Sequence, residues 1–282
     1  MKTIRIIPRL DIKGPNLVKG IHLEGLRVLG RPEDFAKYYY EDGADELFFQ
    51  DVVASLYERN SLHEIITKTV KEIFIPITVG GGIRTITDIR NVLRAGADKV
   101  CINTAAINNP DFIRQASRMF GSSTIVVAIE TIRQTDGRYL AYTDNGREYT
   151  GIEATEWAER VEELGAGEIV LTSVDRDGTG DGFDLDLVTK ITRAASIPII
   201  VHGGARDSSD ILSVIRDGNA DAVAVASILH YNYIKHHNSE KACSEEGNVE
   251  FLLSRKSFSK IQNTTLHEIK EFLQLNDISL RL

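Results

Sequence analysis

The 282-residue sequence predicts an α/β protein folded as a single closed (β/α)8 barrel, and three observations predict it. The chain repeats itself: Ile75-Pro-Ile-Thr-Val-Gly-Gly-Gly-Ile-Arg84 returns as Ile197-Pro-Ile-Ile-Val-His-Gly-Gly-Ala-Arg206, 122 positions on, from Pro76 to Pro198 and from Gly81 to Gly203. The same offset relates Gly43 to Gly165, Glu46 to Glu168, Asp88 to Asp210 and Gly96 to Gly218, and one extra residue separates Asp98 from Asp221. Self-similarity of this period means two half-domains of one architecture. Each copy reads as a buried strand, a glycine turn and a helix, followed by a strand after a Gly-Ala or Asn-Ala turn, the rhythm of a parallel α/β fold. Eight strands alternating with eight helices complete the count. We therefore expect one TIM barrel made of half-barrels at about 1–122 and 123–282; an open doubly wound sheet explains the two-fold repeat less well.

Taken in order, strand 1 covers 5–11, and 12–31 reads as a long loop punctuated by Gly14-Pro15 and Gly30. Pro32 opens a helix to about 42, a first-turn position that suits proline. Strand 2 covers 46–51, helix 2 62–71, strand 3 76–79, helix 3 85–95, strand 4 99–103, helix 4 111–120 and strand 5 124–130. The segment 134–146 alternates aromatic and polar residues around Asp-Gly and Asn-Gly, a hairpin signal. Helix 5 follows at 153–164, strand 6 at 168–172, helix 6 at 184–194, strand 7 at 198–201, helix 7 at 208–217 and strand 8 at 222–226. Helix 8 is delayed to 266–275 by a polar, weakly patterned insertion over about 230–263. So long a connection in a compact domain is either functional or disordered.

A composition of 42% hydrophobic and 26% charged residues is that of a globular protein. The net charge of −8 argues against a nucleic-acid surface, which needs a strong basic field. No apolar run approaches the ~18 residues of a membrane span, and the first residues lack a signal-peptide layout, so the expected location is cytoplasmic. Cys101 and Cys243 are too few for a disulfide framework. His236, His237 and Cys243 match no common zinc spacing, and no metal or cofactor enters the reading.

Two phosphate sites are implied, one per half. Gly81 and Gly82 after strand 3, and Gly203 and Gly204 after strand 7, leave backbone N–H groups open to an anion. Asn103-Thr104 and Ala226-Ser227 end strands 4 and 8, where helix starts hold phosphate. Both pairs together imply a substrate with a phosphate at each end. Asp11 ends strand 1 and Glu130 ends strand 5, opposite each other across one mouth, an arrangement suited to general acid–base work. Acids at strand ends also cap loops, as Asp51 does in the plainer reading. Lys19 on the first loop is placed to neutralise phosphate or tune Asp11; Asp177-Gly178 offers a third acid, with Thr172 beneath it. At the opposite face Arg5, Glu46, Lys99 and Glu168 begin strands 1, 2, 4 and 6 and are expected to form a ring of salt bridges closing the barrel floor.

Taken together, Ile7-Pro-Arg-Leu-Asp11, Lys19, Gly43-Ala-Asp-Glu-Leu47, Thr78-Val-Gly-Gly-Gly-Ile-Arg84, Ile102-Asn-Thr-Ala105 and Leu171-Thr-Ser-Val-Asp-Arg-Asp-Gly178 resemble the cyclase subunit of imidazole glycerol phosphate synthase, a lyase of histidine biosynthesis. The resemblance covers nearly the whole chain outside the insertion. It implies a glutaminase (glutamine amidotransferase) partner docked on the barrel floor, releasing ammonia past a gate formed by Arg5, Glu46, Lys99 and Glu168. Ammonia then reacts at the mouth with a ribulosyl aminoimidazole carboxamide nucleotide carrying two phosphates. Asp11 and the residue at 130 become the acid–base catalysts, and the glycine sites hold the phosphates. The chain departs from the family's usual residues at Glu130 (aspartate), Arg9 (a small residue, often cysteine), Gln50 (apolar) and His202 (serine), besides the insertion. Such departures are similar to those of relatives thought to deliver ammonia for acetamidino groups in surface polysaccharide biosynthesis. That reading, and one of a non-catalytic barrel scaffolding a glutaminase, stand as alternatives; the sister sugar-isomerase barrel has no need of the floor ring. Strand alternation from Asp11 turns Arg9 inward, where its expected partners are Asp11, Glu130 and Gln50, and where it would hold both acids ionised.

Overall fold

The computed structural model describes residues 2–54, 62–237 and 260–281. Eight parallel strands close into a ring: β1 (Arg5–Lys13), β4 (Leu47–Asp51), β5 (Ile77–Gly80), β6 (Lys99–Ile102), β7 (Ile125–Arg133), β10 (Glu168–Ser173), β11 (Ile199–His202) and β12 (Ala222–Val225), which pairs back onto β1. Around them lie α1 (Pro32–Glu41), α2 (His63–Thr69), α3 (Ile86–Ala95), α4 (Thr104–Asn108), α5 (Asp111–Phe120), α6 (Ala154–Glu163), α7 (Leu185–Ala194), α8 (Ser208–Arg216), α9 (Ser227–His236) and α10 (Leu266–Leu275). The barrel strands are buried on both faces, which is why they read as apolar runs rather than as alternating ones. Among the described residues no helix is long and apolar enough to cross a membrane.

The sequence repeat has a structural cause. Asp98 and Asp221 sit in equivalent helix-to-strand turns, and their carboxylates accept from Ile77 N (2.9 Å) and Ile199 N (2.8 Å). Asp88 closes a capping box with Thr85 at the start of α3, and Asp210 in the first turn of α8 accepts from Arg206 N. Gly81 and Gly203 both adopt φ +98°, where a Cβ would lie 2.3 Å from Asp51 O and 2.7 Å from Ser173 O respectively. Only glycine fits either turn.

Two expectations need correction. Residues 12–31 are not a loop: β1 runs on to Lys13 and pairs antiparallel with β2 (Asn16–Ile21), which pairs with β3 (Glu24–Gly30). The Gly14-Pro15 signal marks the turn between strands. The second hairpin is where it was expected and is larger, with β7 continuing into β8 (Tyr139–Thr143) and β9 (Glu148–Glu153). The insertion does not begin at 230, because α9 follows β12 at once. Its polar residues masked it, yet His230 and Asn232 are buried with their apolar neighbours Ile228, Leu229, Tyr231 and Ile234. Of the rest of the insertion, 238–259 with Cys243 lies outside the described residues.

Candidate active site

Going round the ring, β1 and β7 are four strands apart in either direction, so Asp11 and Glu130 end strands that face each other. Alternation along the strands stacks the inward residues in layers. At the floor Arg5, Glu46, Lys99 and Glu168 form a closed, sign-alternating ring. Arg5 meets Glu46 at 2.9 Å and Glu168 at 3.1 Å, and Lys99 meets each of them at 3.0 Å. Above the ring is an apolar layer containing Ile7, Phe48, Cys101, Val126, Val170 and Ile200, with Ala128, Ala222 and Ala224 leaving space. Burial pushes the Cys101 thiol up to about 12, so it is inert.

Arg9 lies in the next layer, pointing inward as expected and 2% exposed. Its Nε–H donates to Asp11 Oδ1 at 2.8 Å, one terminal nitrogen donates to Thr172 Oγ1 at 3.2 Å, and the guanidinium lies 5.5 Å from the centre of the Phe48 ring. Of the partners expected for it, only Asp11 is met. Glu130 reaches the other way, and its Oε2 accepts from Gly146 N at 2.9 Å, in the turn between β8 and β9. Burial raises the Glu130 carboxyl to about 7, against the opposing pull of Arg9, the Gly146 N–H and Asn103. The contact with Glu130 on which the expectation of two ionised acids depended is not made, and at Glu130 desolvation outweighs the guanidinium's attraction.

Lys19, on β2, is buried and donates to both Asp177 oxygens at 2.9 and 2.8 Å, with Asp11 Oδ2 4.0 Å away. Asp177 is held far below the usual carboxylate range: its burial acts upward, and Lys19 and His202 more than reverse it. Asp177 is thus an anchor for Lys19 here rather than a free third acid. His202 is buried too. Its Nδ1 lies 3.0 Å from Ala224 O and its Nε2 3.2 Å from Asp177 Oδ1. Burial, with Arg9 second, lowers its pKa, against the opposing pull of Asp177.

The two glycine sites are brought together with their strand ends as expected. Gly81, Gly82, Asn103, Thr104, Gln50 and Glu130 line a cavity of about 300 Å³. The Asn103 Oδ1 is buried there without a hydrogen-bond partner. Gly178, Gly203, Gly204, Ala226 and Ser227, with Lys19, Asp177 and His202, line a second space of only about 20 Å³. The matched strand ends share one backbone shape: Asn103 has φ −130°, ψ −85° and Ala226 φ −132°, ψ −81°. Among the described residues no cluster of His, Cys, Asp and Glu has the arrangement of a metal site.

Two contributors were not visible in the sequence. The Asn145-Gly146 turn holds Glu130 and also touches the first hairpin, through Asn145 Nδ2 to Leu23 O at 3.3 Å. The Asn-Gly pair announced a turn but not its insertion into the mouth. His230, buried on α9, donates from Nε2 to Arg9 O at 3.0 Å, so its Nδ1 accepts from Tyr39 OH at 2.6 Å. Burial lowers His230 to about 3, which fixes this neutral tautomer. No motif flags such a pair.

The model of the family described as "Histidine biosynthesis protein" matches residues 5–235. Three relatives carry the name "Imidazole glycerol phosphate synthase subunit HisF". The protein of Legionella pneumophila is 56% identical over 204 residues, covering 72% of this chain and 96% of the relative. That of Alkaliphilus metalliredigens is 48% identical, covering 83% and 93%, and that of Methanococcus vannielii is 46% identical, covering 82% and 92%.

Proposed function

The chain belongs to the histidine-biosynthesis barrel family, as a cyclase subunit of the imidazole glycerol phosphate synthase type, and from that premise we propose that it uses ammonia on a ribulosyl aminoimidazole carboxamide nucleotide bearing two phosphates. The observation that carries this reading is the opposed pair Asp11 and Glu130 at one mouth, flanked by two glycine-built cradles. Ammonia adding to a ketose carbonyl must move protons from nitrogen to the departing oxygen, which leaves as water. Two carboxyl groups in different states of protonation suit that transfer. The cradle at Gly82 and Asn103 is proposed to take one phosphate, and that at Gly204, Ala226 and Ser227 the other. Glu130 stands where the family has aspartate and is one methylene longer; it keeps the carboxyl role because the turn at Gly146 meets its tip.

We further propose that ammonia arrives from a separate glutaminase subunit docked on the floor, in the cytoplasm. The sign-alternating ring supports a gate there. The floor also carries exposed apolar side chains: Phe74 (79% exposed) precedes β5, and Met119 (56%) and Leu275 (79%) end α5 and α10. Helices run opposite to the strands, so all three lie at the strands' N-terminal face. The names of the relatives favour the cyclase over surface-sugar modification and over a scaffold without catalysis. The test is turnover of the ribulosyl nucleotide by the isolated chain with an ammonium salt at high pH. A folded protein that gives no imidazole glycerol phosphate under those conditions refutes the proposal.

A further inference from the structure

At position 9 a guanidinium stands inside the barrel, between the layer of the two carboxyl groups and the apolar layer. A buried arginine is retained only with partners that meet its donors. It has them on one side alone. The Nε–H is bound to Asp11 at 2.8 Å and a terminal nitrogen to Thr172 at 3.2 Å, while Phe48 covers it from below. Its main chain is pinned as well, since His230 donates to Arg9 O and Tyr39 in turn donates to His230. The Glu130 carboxyl has a separate support, the Gly146 N–H on the second hairpin, and no hydrogen bond to Arg9.

We propose that Arg9 is a positioning residue that treats the two carboxyl groups differently: it clamps Asp11 by a direct hydrogen bond and acts on Glu130, which the hairpin turn holds apart, through its charge alone, tuning Glu130 for proton transfer. This rests on the reading of Asp11 and Glu130 as the acid–base pair. The groups facing Glu130 are Arg9 and Asp11 from β1, Cys101 and Asn103 from β6 and its end, and Gly146 from the hairpin. Those facing Arg9 are Asp11, Glu130 and Asp177, together with His202 from β11. Lys19 is spent on Asp177. Arg9 is therefore the first of the groups that oppose desolvation at Glu130, which settles at about 7. A proton carrier is most effective when its pKa lies near the working pH, and Arg9 brings Glu130 down to that range. At the same time the bond to Asp11 Oδ1 fixes the orientation of that carboxyl, whose Oδ2 lies 4.0 Å from Lys19 Nζ.

The experiment needs no turnover. Protein labelled with carboxyl-13C glutamate is titrated by NMR, with the Glu130 resonance assigned by its loss in Glu130→Gln. Arg9→Met and Arg9→Gln are expected to raise the Glu130 midpoint by on the order of one unit, and Arg9→Lys to restore it, since an opposite charge nearby lowers a carboxyl by ~1–3 units. The same upward displacement is expected in the pH dependence of ammonium-driven turnover, where the ratio of variant to parent cancels the ionisation of ammonia itself. A midpoint unmoved in a folded Arg9→Met or Arg9→Gln protein overturns the role of Arg9, whatever the reaction. If both charge-removing variants fail to fold while Arg9→Lys folds, Arg9→Lys must keep the parent midpoint; a displaced one overturns the proposal. Absence of turnover in the parent, with the NMR displacement present, sinks the cyclase reading and leaves Arg9's effect standing.

Discussion

Replacing Glu130 by Gln should make the protein more stable at pH 8 than at pH 4, relative to its parent, by about 3 kcal/mol. The carboxyl is fully buried and titrates near 7 in the folded protein, against 4.5 for an ordinary glutamate. The gap is about 2.5 units, and each unit is worth about 1.4 kcal/mol of difference between folded and unfolded states. Because the folded value is the higher one, the favourable state is the protonated one. Its contribution is complete below about 4.5, falls as the pH rises, and is lost once the pH passes about 7. Glutamine mimics the protonated acid and still accepts from Gly146 N, so it has no such loss. Urea midpoints of parent and Glu130→Gln, measured from pH 4 to pH 8, isolate this group because every other titration is shared. The same difference should appear as roughly 6 °C in melting temperature. A stability difference that stays constant to within about 1 kcal/mol over that range would refute the desolvation argument.

Four further outcomes are expected. Phosphate soaked into crystals should fill the cradle at Gly82, Asn103 and Thr104 at lower concentration than the one at Gly204, Ala226 and Ser227; filling in the reverse order contradicts the argument from the two spaces. Lys99→Ala should reduce glutamine-dependent turnover with the glutaminase more than ammonium-dependent turnover, whereas equal losses reduce the floor ring to a structural feature. Gly81→Ala should destabilise the barrel by more than about 1 kcal/mol, since φ is +98° and the new methyl meets Asp51 O, as denaturant unfolding will show. Tyr39→Phe strips buried His230 Nδ1 of its only donor and should lower stability by ~1–3 kcal/mol; an unchanged urea midpoint would mean that another donor replaces it.

The barrel was legible because its repeat is enforced by steric and hydrogen-bonding demands. Gly81 and Gly203 fit turns closed to any side chain, and Asp98 and Asp221 each cap the N–H of a neighbouring strand. The inward direction of Arg9 followed from alternation alone, and the four floor charges met as the strand starts implied. What alternation does not give is choice among partners within a crowded layer. Arg9 met Asp11 and Thr172 rather than Glu130, because the Gly146 turn had already taken the longer acid. The first hairpin was hidden because Leu17, Val18 and Lys19 are all buried: Lys19 lies beneath the mouth with its charge on Asp177, so the solvent-facing alternation that marks a hairpin is missing. Helix α9 was hidden likewise by buried His230 and Asn232.

The two halves build one cradle twice and then make it unequal. Backbone angles at Asn103 and Ala226 agree within a few degrees, and Gly81 and Gly203 share a φ of +98°. Yet one cradle opens onto about 300 Å³ and the other onto about 20 Å³, roughly the room of a single water. The hairpins make the difference. After β7 the hairpin turns its Gly146 N–H to Glu130 and leaves the space beside Asn103 open. After β1 the hairpin drives Lys19 into the mouth, where Asp177 fixes it against His202, Gly203 and Gly204. The space beside Asn103 therefore has room for one end of the proposed two-ended anion. For the proposed second phosphate, the nearest cation lining that space is Lys19, now bound to Asp177. Lys19 also lies 4.0 Å from Asp11, the carboxyl that Arg9 holds. The smaller cradle and the acid pair thus share one lysine, 2.8 Å from Asp177 and 4.0 Å from Asp11.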